Sequence, residues 1–191
     1  MQWIKAALLV VFLAAPLALH GQAIVTKEGI SRIEAGANFN YVHANAPPGQ
    51  CGCFSLYGGS GKFVMNLTPV WAGVADIMYA HANNINNTGQ NITIINYVFG
   101  PRYTRRIYNT RYVPYAEILV GGAKENVNFD FAINRQSFAV MGGGGVSTKL
   151  KRRIGLTMVE VDYVYTRIPN AVNNTQNNLR IATGLTYHFG S

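Results

Sequence analysis

The segment from Leu179 to Phe189 alternates apolar with polar or small residues almost to the carboxyl terminus, and several earlier segments of similar length repeat that pattern. Side chains on an extended strand point to opposite faces in turn, so alternation over about ten residues gives one greasy and one polar face. A chain made of such segments must find a partner for each face. The pattern alone leaves open which face meets what.

Met1 to Lys5 is a short positive region, Ala6 to Leu19 an apolar run, and Gly21-Gln22-Ala23 offers small residues at the cleavage positions. Residues 1–23 therefore read as a secretory signal peptide, with a mature chain starting near Ile24. The apolar run is shorter than the about 20 residues a comfortable membrane-spanning helix needs, and no Cys follows the cut to take a lipid. After it no long apolar run remains, which excludes a helical membrane protein. Residues 24–191 suit one domain. The chain is 49% hydrophobic and only 13% charged, against about 25% charged in ordinary soluble domains. Its Tyr, Phe, Gly and Asn content, with little Glu, Lys and Leu, favours strands and turns, and hence an all-β fold.

Turn residues used as punctuation predict eight strands, at 32–44, 60–68, 71–81, 91–104, 112–122, 137–148, 154–166 and 178–189. The connectors alternate in kind: 45–59, 82–90, 123–136 and 167–177 are long, while those near Pro69, Asn109 and Lys151 are short. Long loops on one side and short turns on the other predict an eight-stranded antiparallel up-and-down transmembrane β-barrel over residues 24–191.

The acids sharpen this. If each strand turns its acidic residue inward, Asp76 is inside and Trp71, Ala75, Ile77 and Tyr79 are outside; Glu117 is inside and Ala116, Ile118 and Val120 are outside. Glu160 and Asp162 likewise separate from Val159, Val161, Tyr163 and Tyr165, Arg180 and His188 from Leu179, Ile181, Leu185, Tyr187 and Phe189, and Glu34 from Ile33, Ala35 and Phe39. A soluble lipocalin-like barrel would show the same alternation with the faces exchanged. The polar face, however, is sparse, with single acids, Asn and Gly where a solvated face carries many Lys, Glu and Thr. Aromatics also cluster near strand ends on the apolar face, at Tyr41, Trp71, Tyr79, Tyr103, Tyr165 and Tyr187, as girdles at lipid headgroups do. Together with the signal peptide these features favour membrane over solvent.

Three stretches, Asn66 to Asp76 around Pro69, Phe99 to Tyr103, and Pro114 to Ala123, together with Val161-Asp162-Tyr163, resemble the small eight-stranded outer-membrane β-barrels of the outer-membrane protein A and X type. The resemblance covers nearly the whole mature chain. It implies residence in the bacterial outer membrane among membrane lipids, and a terminal signal, Tyr187 and Phe189, read by the barrel-assembly machinery. Here Gly190 and Ser191 follow the Phe that usually ends that signal.

Eight strands enclose room only for side chains, so the interior is expected to be a plug, without an open pore. Charges there must pair, because an unpartnered buried charge costs several kcal/mol. The expected network sets Glu34, Asp76, Glu117, Glu160 and Asp162 against Arg102, Arg180 and Lys62, with Arg180 central because its planar fork serves two carboxylates. Acids outnumber bases, so one carboxyl is expected to hold a proton or a bridging water.

The net charge of +8 is concentrated. Arg102, Arg105, Arg106 and Arg111 surround one short turn, and Lys149, Lys151, Arg152 and Arg153 another. Two readings stay open: attraction to phospholipid phosphates or the acidic cell-wall layer, or solvated turns that orient the barrel. The opposite loops, 83–88 and 170–178, are rich in Asn and suit either a surface ligand or plain polar tips. Cys51 and Cys53 flank one residue and, in an oxidising compartment, are expected to form a tight local disulfide; a metal site would need more ligands than two thiols.

No catalytic residue, cofactor or metal site is expected. Gly58-Gly59-Ser60-Gly61-Lys62 lacks the first Gly and the final Ser or Thr of a phosphate loop. A lipid A-modifying enzyme would need Ser, His and an acid together near the outer rim, and neither His43 nor His81 has such neighbours by parity. Nucleic acid is not an expected partner, and a monomer is expected.

Overall fold

The computed structural model describes residues 30–45, 52–85, 87, 89–107, 110–128, 132–168 and 175–189. The signal-peptide reading of 1–23 lies outside them. Eight strands, β1 (Ile33–Ala44), β2 (Phe54–Asn66), β3 (Trp71–Ile85), β4 (Gln90–Thr104), β5 (Tyr112–Asn128), β6 (Ala132–Lys151), β7 (Ile154–Thr166) and β8 (Gln176–Phe189), form a closed barrel. Each pairs antiparallel with its neighbour in sequence, and β8 returns to β1 with Phe189 opposite Ile33. Closure leaves no unpaired edge, the condition for a sheet to cross a membrane.

Several strands run past their predicted ends. β2 starts at Phe54, β5 reaches Asn128 and β6 begins at Ala132, where the sequence predicted 60, 122 and 137. Gly58, Gly59 and Lys124 to Asn126 look like turn residues, but the ladders carry them on because backbone N–H and C=O groups need partners; Asn83 and Asn84 also fall within β3, at an irregularity where its pairing with β4 skips from Ala82 to Ile85. All four long connectors therefore shrink, to 45–53, 86–89, 129–131 and 167–175, and the contrast between loops and turns is weaker than expected.

The acid-inward assignment fixes the faces. Trp71, Ile77, Ile118 and Tyr163 are 50, 63, 64 and 53% exposed, while Asp76 and Glu160 are 1 and 0% exposed. A soluble lipocalin-like barrel needs the reverse, a wet polar outside around an apolar pocket, so that alternative is overturned. β7 also changes face once: Thr157 and Glu160 are both buried with Met158 and Val159 both exposed between them, at a register shift against both neighbours. This bulge re-aims the strand so that Glu160 and Asp162 reach the lumen.

Trp71 and Tyr103 pack edge to face at the turn end with ring centroids 5.3 Å apart, as do Tyr187 and Phe189 at 4.9 Å. Tyr41 packs on Tyr57 at 5.4 Å towards the loop end. Tyr79 is also exposed on the outside, and Tyr165 is half-buried. Tyr57, Tyr97, Tyr112 and Tyr163 are further exposed rings; Tyr57 escaped the girdle because its segment read as loop.

The glycine run Met141-Gly142-Gly143-Gly144-Gly145 suggested a cover by Tyr163 or Tyr165. Nothing lies within 4 Å of where a Cβ on Gly142 would sit, although Tyr163 is its ladder partner. The ring that lies over a glycine is Tyr97, whose tip would be 2.4 Å from a Cβ on Gly122.

Candidate functional site

Three cation–carboxylate pairs are set directly by register. Lys62 on β2 lies opposite Asp76 on β3, Arg102 on β4 opposite Glu117 on β5, and Asp162 on β7 opposite Arg180 on β8. Opposite charges facing each other across strands are favourable, and here all six point inward. Glu160 joins them through the β7 bulge.

Because the barrel is narrow, these pairs fuse across the lumen. Lys62 Nζ lies 2.8 Å from Glu117 Oε1, 2.6 Å from Glu160 Oε2 and 3.4 Å from Asp76 Oδ2. Arg180 Nη1 is 3.0 Å from Asp76 and 3.3 Å from Asp162, and its Nη2 is 3.4 Å from Glu160. Its other donors go to Asn40 Oδ1 at 3.0 Å and Ser60 Oγ at 2.9 Å. Arg102 Nε donates to Glu117 Oε2 at 2.7 Å and its guanidinium stacks 4.0 Å above the Tyr115 ring. Tyr115 in turn donates its hydroxyl to Glu160 Oε2 at 2.5 Å. Gly143 and Gly145 make room: a Cβ there would fall 2.3 Å from Asp162 Oδ1 and 2.8 Å from the Tyr115 hydroxyl.

The arrangement has two hubs, Arg180 and Lys62, where the sequence suggested Arg180 alone. Seven of the eight residues expected in the network meet; Glu34 does not. It stands at the turn end of the lumen, accepting from Asn66 Nδ2 at 2.7 Å and facing His188 Nδ1 at 3.5 Å. Beside it a cavity of about 130 Å³ opens, lined in part by Asn38, Thr104 and Thr157. Glu125, which the sequence reading missed, is fully buried near the loop end, where it accepts from Gln176 at 3.1 Å. Its parity with Glu117 was the available signal; the predicted end of β5 at 122 hid it.

Above the ionic layer apolar side chains share the lumen with the buried Glu125, Gln176 and Asn178. Val42, Leu56, Met78, Ile92, Ile94 and Val127 belong to one buried cluster, and Leu119, Met141 and Val164 to a second. These share the inner parity with the charges, and attention to polar residues alone passed over them. The carboxylates of Glu117, Glu160 and Asp162 offer oxygens within 4.8 Å of one another, but Lys62 and the two guanidinium groups already supply their counter-charge.

Other candidates disperse. Ser60 and Lys62, from the glycine-rich stretch, sit within β2 as lumen residues. His81 contacts Thr93 Oγ1 at 2.8 Å and Asn83 Oδ1 at 2.6 Å, and His43 is the ladder partner of Ser55, whose hydroxyl is 2.9 Å from that of Tyr41. Among the described residues neither histidine forms an ion pair with an acid. Cys53 is exposed, while Cys51, and with it the disulfide, lies outside the described residues. Arg102 faces the lumen and leaves the basic turn cluster to which its position in sequence assigned it.

Part of the Asn-rich loops is strand or tight turn. Asn83 and Asn84 end β3 and Gln176 to Asn178 begin β8. Asn84 and Asn87 adopt positive φ of 48° and 59°, which Asn tolerates better than most residues. Asn84 Oδ1 accepts from Gly89 N at 2.9 Å, and Asn91 Oδ1 from Asn84 N at 2.9 Å. These amides are spent on the turn itself.

The fold is that of the small eight-stranded outer-membrane β-barrels. The crystal structure of neisserial surface protein A superposes with a TM-score of 0.65 at 16% identity, covering 85% of this chain and 100% of that one. Ail, the attachment invasion locus protein of Yersinia pestis, gives 0.54 at 12% identity over 82% of this chain and 98% of its own. The outer membrane protein OprG from Pseudomonas aeruginosa gives 0.54 at 12% over 85% and 98%. No family model and no curated protein matches the sequence. At such identities the likeness is one of fold.

Proposed function

We propose that the protein is a bacterial outer-membrane β-barrel, exported by a cleaved signal peptide over residues 1–23, with a structural or surface-interaction role, no enzymatic activity and a lumen that does not conduct. One observation carries this reading: a closed sheet whose outside is apolar and exposed while its charges are packed inside. Only a lipid surround makes that distribution favourable, since water would leave the outer face unsolvated and give the buried charges no reason to be inside. The fold neighbours support it by being surface and outer-membrane proteins, and one, Ail, has been solved with the heparin analogue sucrose octasulfate.

The plug is held by Asp76, Arg102, Glu117, Glu160, Asp162 and Arg180 with Lys62, and capped by the apolar cluster above it. Tyr187 and Phe189 serve as the assembly signal, at the seam where β8 meets β1. Cell fractionation followed by a heat-modifiability gel tests the location: the expected result is an outer-membrane fraction whose folded and boiled forms migrate differently. A chain that stays folded in buffer without detergent overturns it. Planar-bilayer recording tests the plug, with no discrete conductance steps expected.

A further inference from the structure

We propose that the basic groove at the turn end of the barrel is a binding site for an anionic phospholipid of the leaflet on that side; the proposal rests on the membrane reading above. The groove, of about 690 Å³, lies between the β4–β5 turn and the β6–β7 turn, and Arg106, Arg111, Lys149, Lys151 and Arg152 line it. Ile107 and Leu150, 48 and 55% exposed, supply apolar wall. Arg105 and Arg153 are exposed on the same two turns.

Charge placement makes this site one-sided. Every Asp and Glu among the described residues, from Glu34 to Asp162, faces the lumen, so among the described residues no acid on the outer surface competes for Arg111, Lys149 and Lys151. Glu34, the acid at this end, is engaged by Asn66 and His188. Arg111, Lys149 and Lys151 form no ion pair among the described residues, while Arg106 is anchored by donating to the Pro69 carbonyl. That bond ties the groove to the turn before Trp71, whose exposed ring marks the headgroup level. A cluster of cations with neighbouring apolar walls at that depth matches a phosphate headgroup with its glycerol and first methylenes. An acidic cell-wall polymer would satisfy the cations but not Ile107 and Leu150, which favours lipid.

The test uses the full mature barrel delipidated in detergent micelles, with native mass spectrometry counting lipid retained after incubation with phosphatidylglycerol or phosphatidylcholine in mixed micelles. Phosphatidylglycerol should be retained at least about tenfold over phosphatidylcholine, a preference that salt weakens. The Arg111→Gln, Lys149→Gln, Lys151→Gln triple variant should lose it, while Lys124→Gln, on β5 near the opposite end, should not. A heat-modifiability gel on each sample separates a lost site from a lost barrel. Equal retention of the two lipids by the folded wild type, a preference that survives in the folded triple variant, full displacement by inorganic phosphate, or binding of soluble cell-wall fragments in place of lipid would each overturn the proposal.

Discussion

The two halves of the lumen solve the same problem, filling a narrow barrel, in opposite ways. Towards the turns it is polar, with Glu34, Asn66 and His188 around a cavity of about 130 Å³. Towards the loops Val42, Leu56, Met78, Ile92 and Ile94 close it as an ordinary hydrophobic core does. The ionic layer divides them. The apolar cluster packs without needing polar partners, whereas the charged layer is stable only as a complete set. A barrel of this size therefore has one robust seal and one conditional one.

Removing a hub should separate the two most sharply. Arg180 is fully buried against Asp76, Glu160 and Asp162, so Arg180→Met should cost about 4 kcal/mol by stranding carboxylates, read as a lower urea midpoint in detergent micelles. An unchanged midpoint would remove Arg180 from its central position. Lys62→Met, which takes the shared cation from Glu117 and Glu160, should come close to it in the same measurement. In the apolar half, Leu56→Ala should cost about 3 kcal/mol through a cavity and lost burial, without disturbing the ionic layer. If the Leu56 variant loses more than the Arg180 variant, the order of the two seals is reversed. Least of all, His188→Ala at the open turn end, where both partners of the Glu34 contact retain some exposure, should cost about 0.5 kcal/mol. A further check concerns the outside: Trp71 fluorescence should be quenched by brominated acyl chains and resist iodide, and iodide quenching as strong as that of free tryptophan would put water where lipid is expected.

Much of this was legible in the residues. Alternation located all eight strands, and the acids told inside from outside at Asp76, Glu117 and Asp162, because burying a charge against lipid is costly enough to leave its mark on the pattern. Strand ends were less legible: Gly58 and Glu125 read as loop because local propensity prefers turns there, while the ladder supplies hydrogen bonds that propensity does not see. Lys62 stood at the edge of a mis-set strand and so was valued below Arg180.

Alternation, the few acids and the aromatic ends determine by themselves a chain that must close on itself with its greasy side outward, since that is a matter of which residue follows which. Only the tertiary structure decided which charges meet, that Glu34 stays out of the cluster, and that Val42, Leu56, Ile92 and Ile94 gather in the loop half of the lumen. Those depend on the stagger of eight strands around a narrow cylinder, where Lys62 on β2 touches Glu160 on β7 from 98 residues away in sequence, a distance no local pattern can encode.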